Sequence, residues 1–223
     1  MRLTPGIDPH THSAIATGKV DSKFGTAIET GQAMEIVKEA ISLTNIDLRG
    51  FHSHIGSQIF DIQPFCDSAD IMIKFVGEAK EVLGFEAEIL NLGGGFGVRY
   101  VESDPVIDYS ENIRLISEHI KDYCKENDIK MPTILMEPGR SIVADSGMTL
   151  YKALSIKELN GYKNYVAIDG GMSDNPRYAL YNSSYTVLCA NKMNEDPTYN
   201  CTIAGRLCES GDLIPENVSI PPV

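Results

Sequence analysis

The absences narrow the field first. The 223-residue sequence has no cluster of lysine and arginine, and its net charge is −12, which argues against nucleic acid or an anionic membrane as partner. No apolar run approaches the ~20 residues that a membrane helix needs. Met1-Arg2-Leu3 lacks the apolar core of a secretory signal, so the expected compartment is the cytoplasm. The five cysteines, Cys66, Cys124, Cys189, Cys201 and Cys208, are scattered, odd in number and without CxxC spacing. That speaks against a disulfide framework or a thiolate zinc site. No glycine loop runs on into Gly-Lys-Ser/Thr, so a nucleoside-triphosphate loop is missing. The glycines at 93–97 do not fit G-x-G-x-x-G. Repeats and low-complexity segments are also lacking. What is present is ordinary for a soluble globular protein: 43% hydrophobic and 22% charged residues, with length for one or two domains.

Along the chain, apolar periodicity alternates between two kinds. Arg2-Leu3-Thr4-Pro5-Gly6 reads as a strand end running into a polar loop to about Gly25, which holds His10 and His12. Ala33, Met34, Val37, Ala40 and Ile41 recur at helical spacing, and residues 48–55 form a short strand. Phe65, Ala69, Met72, Phe75, Val76, Ala79 and Val82 make the clearest amphipathic helix. Residues 89–92 are the next strand. Asp108 and Glu111 form a capping pair ahead of a third helix through Ile113, Ile116, Ile120 and Tyr123. Residues 133–136 are a further strand. Strict alternation implies parallel strands with crossover helices. From about residue 146 the character changes. Residues 148–156, 165–169, 185–190 and 199–203 are strand-like between Asn, Gly, Pro and Asp, with no helix period. The expected domains are 1–145, a β/α unit, and 146–223, mostly antiparallel β.

The suspicious motifs of the first domain all stand at strand exits. Asn91-Leu92-Gly93-Gly94-Gly95-Phe96-Gly97 removes every Cβ where a strand ends, so backbone N–H groups could approach an anion, a phosphate above all. A loop that merely needs positive φ is the plainer reading. His52 and His54 are two apart on a strand and share a face if the strand stays regular. They are either a metal pair, as in barrel hydrolases, or one functional ring beside a packing partner. A metal would need further ligands, and only His10, His12 and His119 remain, so no metal site is expected. Glu137-Pro138-Gly139-Arg140 offers a carboxylate for a cationic ring nitrogen and an arginine for an anion, or simply a cap and a surface charge. Asp169-Gly170-Gly171, Arg177 and Tyr181 form another polar group, and Cys208-Glu209-Ser210-Gly211-Asp212 packs a thiol among acids.

In order, His-x-His-Ile-Gly-Ser-Gln, Asn-Leu-Gly-Gly-Gly-Phe-Gly, Glu-Pro-Gly-Arg, Asn-Pro-Arg-x-Ala-Leu-Tyr and Cys-Glu-Ser-Gly-Asp closely resemble the diaminopimelate decarboxylase family. These are alanine-racemase-like pyridoxal-phosphate enzymes, and the resemblance spans essentially the whole chain. It implies a β/α barrel followed by a β domain. It implies that His54 stacks on the pyridine ring, Ser57 contacts the phosphate, and Gly93, Gly94 and Gly95 cradle it. Glu137 would hold the ring nitrogen protonated, and Gly139 and Arg140 would lie against the cofactor, pyridoxal 5'-phosphate. Arg140, Arg177 and Tyr181 would bind the amino-acid substrate, Glu209 its distal amino group, and Cys208 would return the proton. In the family the last two reach into a partner's site, which implies a homodimer. Cys-Glu-Ser-Gly-Asp favours diaminopimelate over ornithine or arginine, whose decarboxylases remain the alternative, beside a non-catalytic cofactor-binding homologue.

The chain departs from the family in one large respect. No lysine stands in the motif that links the cofactor, and Lys23 matches a different family stretch. The match covers roughly the last four barrel strands and the start of the β domain, and the chain stops before the family's C-terminal tyrosine. The expectation is a piece truncated at both ends, with unpaired strand edges, that does not turn over alone. Tyr178 stands where the family commonly has proline.

Overall fold

The computed structural model describes residues 1–9 and 17–223. Two compact units emerge: Met1–Val98 with Pro105–Ser146, and Arg99–Asp104 with Gly147–Val223. The fold is mixed α/β, parallel in the first unit and a mixed sheet in the second.

The first unit alternates strand and helix. Strands β3 (Gly50–His52), β4 (Ile89–Asn91) and β5 (Thr133–Leu135) are parallel neighbours in that order. Strands β1 (Leu3–Thr4) and β2 (Thr26–Ala27) pair in parallel, and a bridge from Arg2 to His52 sets β1 beside β3. Helix α1 (Gln32–Ser42) follows β2, α2 (Gln63–Leu83) links β3 to β4, and α3 (Tyr109–Glu126) links β4 to β5. The crossovers are what parallel pairing requires. Helix α2 carries the core because its apolar positions recur with a helical period: Phe65, Ala69, Met72, Phe75, Val76 and Ala79 are all buried. Phe51 of β3 meets Phe75 edge-on at 5.1 Å, and Phe65 stacks on Phe96 at 4.3 Å. Each such ring contributes about 1.5–3 kcal/mol by leaving water. Asp108 caps α3, its carboxylate accepting from Glu111 N–H at 3.0 Å. The strand expected over 48–55 is confined to Gly50–His52, with single bonds continuing on either side, from Ile89 N–H to the Arg49 carbonyl and from Ser53 N–H to the Asn91 carbonyl.

The second unit is a four-stranded sheet, β6 (Ala153–Glu158), β7 (Asn164–Ile168), β8 (Tyr199–Ala204) and β9 (Val218–Ile220). Two of its pairings are antiparallel, and β7 runs parallel to β8. Val166, Ile168, Cys201, Ile203, Ile214 and Ile220 form its core. Three details differ from the sequence reading. Residues 185–190 are not a strand: Tyr185 is held edge-on against Tyr100 and Thr186 donates to the Tyr100 carbonyl, so side chains fix this stretch and not a ladder. The strand expected over 148–156 begins only at Ala153. One-turn helices α4 (Arg140–Val143) and α5 (Arg177–Tyr181) are too short to leave a period in the sequence.

Candidate active site

The central strands of the first unit finish level, since Asn91 pairs with His52 on one side and Leu135 on the other. Residues 53–57, 92–97 and 136–140 therefore leave the sheet at one edge, the C-terminal one, where parallel folds build sites.

The glycine turn lets these exits touch. Gly93 and Gly95 hold φ of 69° and 108°, which side chains disfavour. Space is the second reason. A Cβ on Gly93 would sit 2.9 Å from His54 Nδ1, one on Gly94 would strike the Glu137 carbonyl, and one on Gly95 the Gly56 carbonyl. The Gly93 carbonyl accepts from Glu137 N–H at 2.7 Å, and the Gly95 carbonyl from Ile59 N–H at 3.0 Å. The backbone N–H groups of Gly93 and Gly94 already have acceptors, Asn91 Oδ1 at 2.9 Å and His54 Nδ1 at 3.3 Å, whereas Gly95 N–H finds none among the described residues.

Glu137 stands beside this turn with a half-exposed carboxylate. Its Oε1 accepts from Asn91 Nδ2 at 2.8 Å, and its Oε2 lies 3.5 Å from His52 Nε2. That second contact is an ion-pair distance without hydrogen-bond geometry, so the buried His52 Nε2 has no hydrogen-bond partner among the described residues. Burial pushes the His52 pKa down, against the pull of Glu137, and the ring is neutral at pH 7. His54 is lowered too, by burial first and then by Arg2 and His52. Its Nδ1 accepts from Gly94, which places the ring proton on Nε2. The result is a flat, neutral ring set against the glycine turn, which also holds the Glu137 backbone through Gly93.

Arg140 reaches back across the edge. Its Nη2 donates to Ser57 Oγ at 3.0 Å and its Nη1 to Gln58 Oε1 at 2.8 Å. Gly139 has open space where a Cβ would stand. His54, Ser57, Gly93, Gly94, Gly95, Glu137, Gly139 and Arg140 thus belong to one unit and to one edge of it. His52 Nε2 faces Glu137 and His54 Nδ1 faces the Gly94 N–H. Among the described residues no group of His, Cys, Asp and Glu could hold a metal ion; His10 and His12 lie outside them.

Arg177, Tyr181, Cys208 and Glu209 belong to the second unit. Arg177 and Tyr181 share α5, with the guanidinium carbon 5.3 Å from the Tyr181 ring centre and 5.9 Å from that of Tyr100. Arg177 Nε is buried without a hydrogen-bond partner among the described residues. Cys208 and Glu209 sit exposed on a turn that Asp212 organises. Asp212 is 2% exposed and accepts from Met172 N–H at 2.5 Å and Leu207 N–H at 2.7 Å. It thereby ties the segment leading to α5 to the turn bearing Cys208.

Two residues escaped sequence reasoning. Asn91 joins Glu137 to the glycine turn through both ends of its carboxamide, and its signal was an amide ending an apolar strand. Gln58 had no local signal beyond its place in a motif. A ring with a basic nitrogen and a phosphate tail fits what is here: a carboxylate, a neutral flat ring, the Gly95 N–H at a turn too tight for any side chain, a hydroxyl and a guanidinium.

Comparison with known proteins points the same way. Residues 1–144 match the family described as pyridoxal-dependent decarboxylase, pyridoxal binding domain, and residues 100–223 its C-terminal sheet domain. A diaminopimelate decarboxylase of Halalkalibacterium halodurans is 45% identical over 99% of this chain and 50% of its own length. One from Bacillus subtilis is 42% identical over 100% of this chain and 51% of its own length. The crystal structure of diaminopimelate decarboxylase from M. jannaschii in complex with L-lysine superposes with a TM-score of 0.86 at 35% identity, covering 100% of this chain and 50% of that one. The chain spans about half the length of the relatives it matches.

Proposed function

This chain belongs to the pyridoxal-dependent decarboxylases, and from that membership we propose that it serves the decarboxylation of meso-2,6-diaminopimelate to L-lysine and carbon dioxide. The observation that carries the reading is the meeting of Glu137, His54 and the glycine turn at one sheet edge. The names of the similar proteins supply the substrate.

Pyridoxal 5'-phosphate, when bound, supplies an electron-withdrawing ring that takes up the electron pair left behind as a carboxylate departs. The residues around it have separate tasks. Glu137, oriented by Asn91, would hold the ring nitrogen and favour its protonated form, since a carboxylate beside a cation stabilises the charge. His54 offers a neutral face for stacking, so it does not compete for that charge. Ser57, Arg140 and the Gly95 N–H hold the phosphate, and Gly139 leaves it room. Arg140, Arg177 and Tyr181 bind substrate carboxylate, Glu209 the distal ammonium, and Cys208 Sγ delivers the proton to the substrate carbon. Those last two roles imply a homodimer in which each turn serves the partner's site. Five unpaired cysteines suit a reducing compartment, and we assign the cytoplasm.

Joined to the part of the Bacillus subtilis relative that it does not match, this chain should release carbon dioxide from meso-2,6-diaminopimelate. A stable, folded chimera that binds the cofactor but releases none would defeat the reading. In that chimera Glu209→Asp separates diaminopimelate from ornithine and arginine, by the shift in substrate preference. The 223-residue chain by itself should give no lysine, because no lysine stands in its family's cofactor-linking motif; product from the pure chain would refute that.

A further inference from the structure

We infer that Gln58 is a positioning residue: it locks the glycine turn and Arg140 into one anion-binding unit. The inference deepens the proposed function and rests on it where the anion is the cofactor's phosphate.

Gln58 holds φ of 60°, a left-handed conformation that a side chain of its size adopts only when its surroundings force it. The forcing contacts are visible. Its Nε2 donates to the Val98 carbonyl at 2.7 Å, and its Oε1 accepts from Val98 N–H at 3.2 Å. The side chain thus pairs with Val98 as a strand neighbour would. Backbone bonds continue the seam: Gly97 N–H to the Ile59 carbonyl at 2.8 Å and Ile59 N–H to the Gly95 carbonyl at 3.0 Å. The second lone pair of Oε1 takes Arg140 Nη1 at 2.8 Å. One amide therefore touches the chain just past the glycines and the arginine 82 residues onward. Its orientation is fixed, because the flipped amide would set N–H groups against both donors. With Nη1 committed to Gln58, the guanidinium turns Nη2 to Ser57 Oγ, the hydroxyl at the same corner. Methionine has the length of glutamine and none of these bonds. Glutamate would lose the donor to Val98.

The test uses Gln58→Met in the 223-residue chain, read without catalysis. Affinity for pyridoxal 5'-phosphate should fall about tenfold, and affinity for phosphate-free pyridoxal by less than about threefold, as expected for misaligning one charged donor. In an Arg140→Lys background the same substitution should add little, since its effect passes through the guanidinium. Equal losses for both ligands, or a full additive loss beside Arg140→Lys, would overturn the inference. Amide exchange in the free chain is the second measurement. It should quicken at Val98 and also at Ile142, two residues past Arg140 and bonded to the Gly139 carbonyl, with α3 unchanged. Quickening confined to Val98 overturns the proposal. Exchange needs no ligand, so it decides about Gln58 even where the wild-type chain binds no pyridoxal 5'-phosphate; the proposed function stands or falls separately, with the chimera.

Discussion

In the first unit α2 buries one long apolar face, its Phe75 meeting Phe51 of β3 and its Phe65 stacking on Phe96. In the second unit β6 is exposed along its whole length, Met148 and Leu150 before it are 95% and 79% exposed, and a handful of apolar side chains make the core. Polar clamps do there what packing does in the first. Asp212 gathers the loops near 172 and 207, and Glu216 accepts from both Lys163 at 2.6 Å and the Tyr178 hydroxyl at 2.9 Å. The Tyr178 bond ties α5 to Glu216 through a side chain. The contrast teaches that one chain can hold one unit by area removed from water and another by a few desolvated polar groups.

The largest expected effect tests the packed side. Phe51→Ala empties the space between Phe75 and Phe85 and should cost about 3–5 kcal/mol in urea unfolding. A loss under about 1 kcal/mol would show that this ring is not part of the principal core. Next, Asp212→Ala leaves the Met172 and Leu207 N–H groups without their acceptor and should cost about 2–4 kcal/mol. Asp212→Asn, which keeps one carbonyl oxygen, should fall between wild type and alanine. If all three unfold alike, the clamp is dispensable and the contrast between the units fails.

The smallest effect is a matter of pH, and it separates the units. His52 and His54 are lowered in the folded state, chiefly by burial. Below about pH 6.5 the unfolded chain takes up protons that the folded one refuses, so first-unit stability falls as pH drops through that value and is level above it. Glu216 is held low by the Lys163 and Tyr178 hydrogen bonds. Its contribution is present above the ordinary carboxylate value of about 4.3 and is lost as pH falls below it. Thermal melts followed by amide exchange should therefore show acid loss in the first unit before the second. His54→Asn should flatten the earlier step, and an unchanged profile would remove His54 from it.

Much of this was legible beforehand, for identifiable reasons. Helix α2 announced itself because a 3.6-residue period over twenty positions is hard to mimic, and the Asp108 cap because its partner is three residues away. Residues 185–190 were misread because an alternating pattern cannot distinguish a ladder from a segment pinned by Tyr100. Asn91 was overlooked as an ordinary strand end, and its two hydrogen bonds run to the turn beyond it and to a residue 46 positions away.

The sequence by itself determined the alternating strands and long helices of the first unit, where its glycine turn had to be, and which family the motifs resemble, because those properties depend on neighbours within a few residues. Only the tertiary structure decided that Glu137 faces Asn91, that Arg140 is shared between Ser57 and Gln58, and that Asp212 closes the turn of Cys208. Those contacts join exits of different strands, and their partners are chosen by register and crossover, which no local pattern encodes.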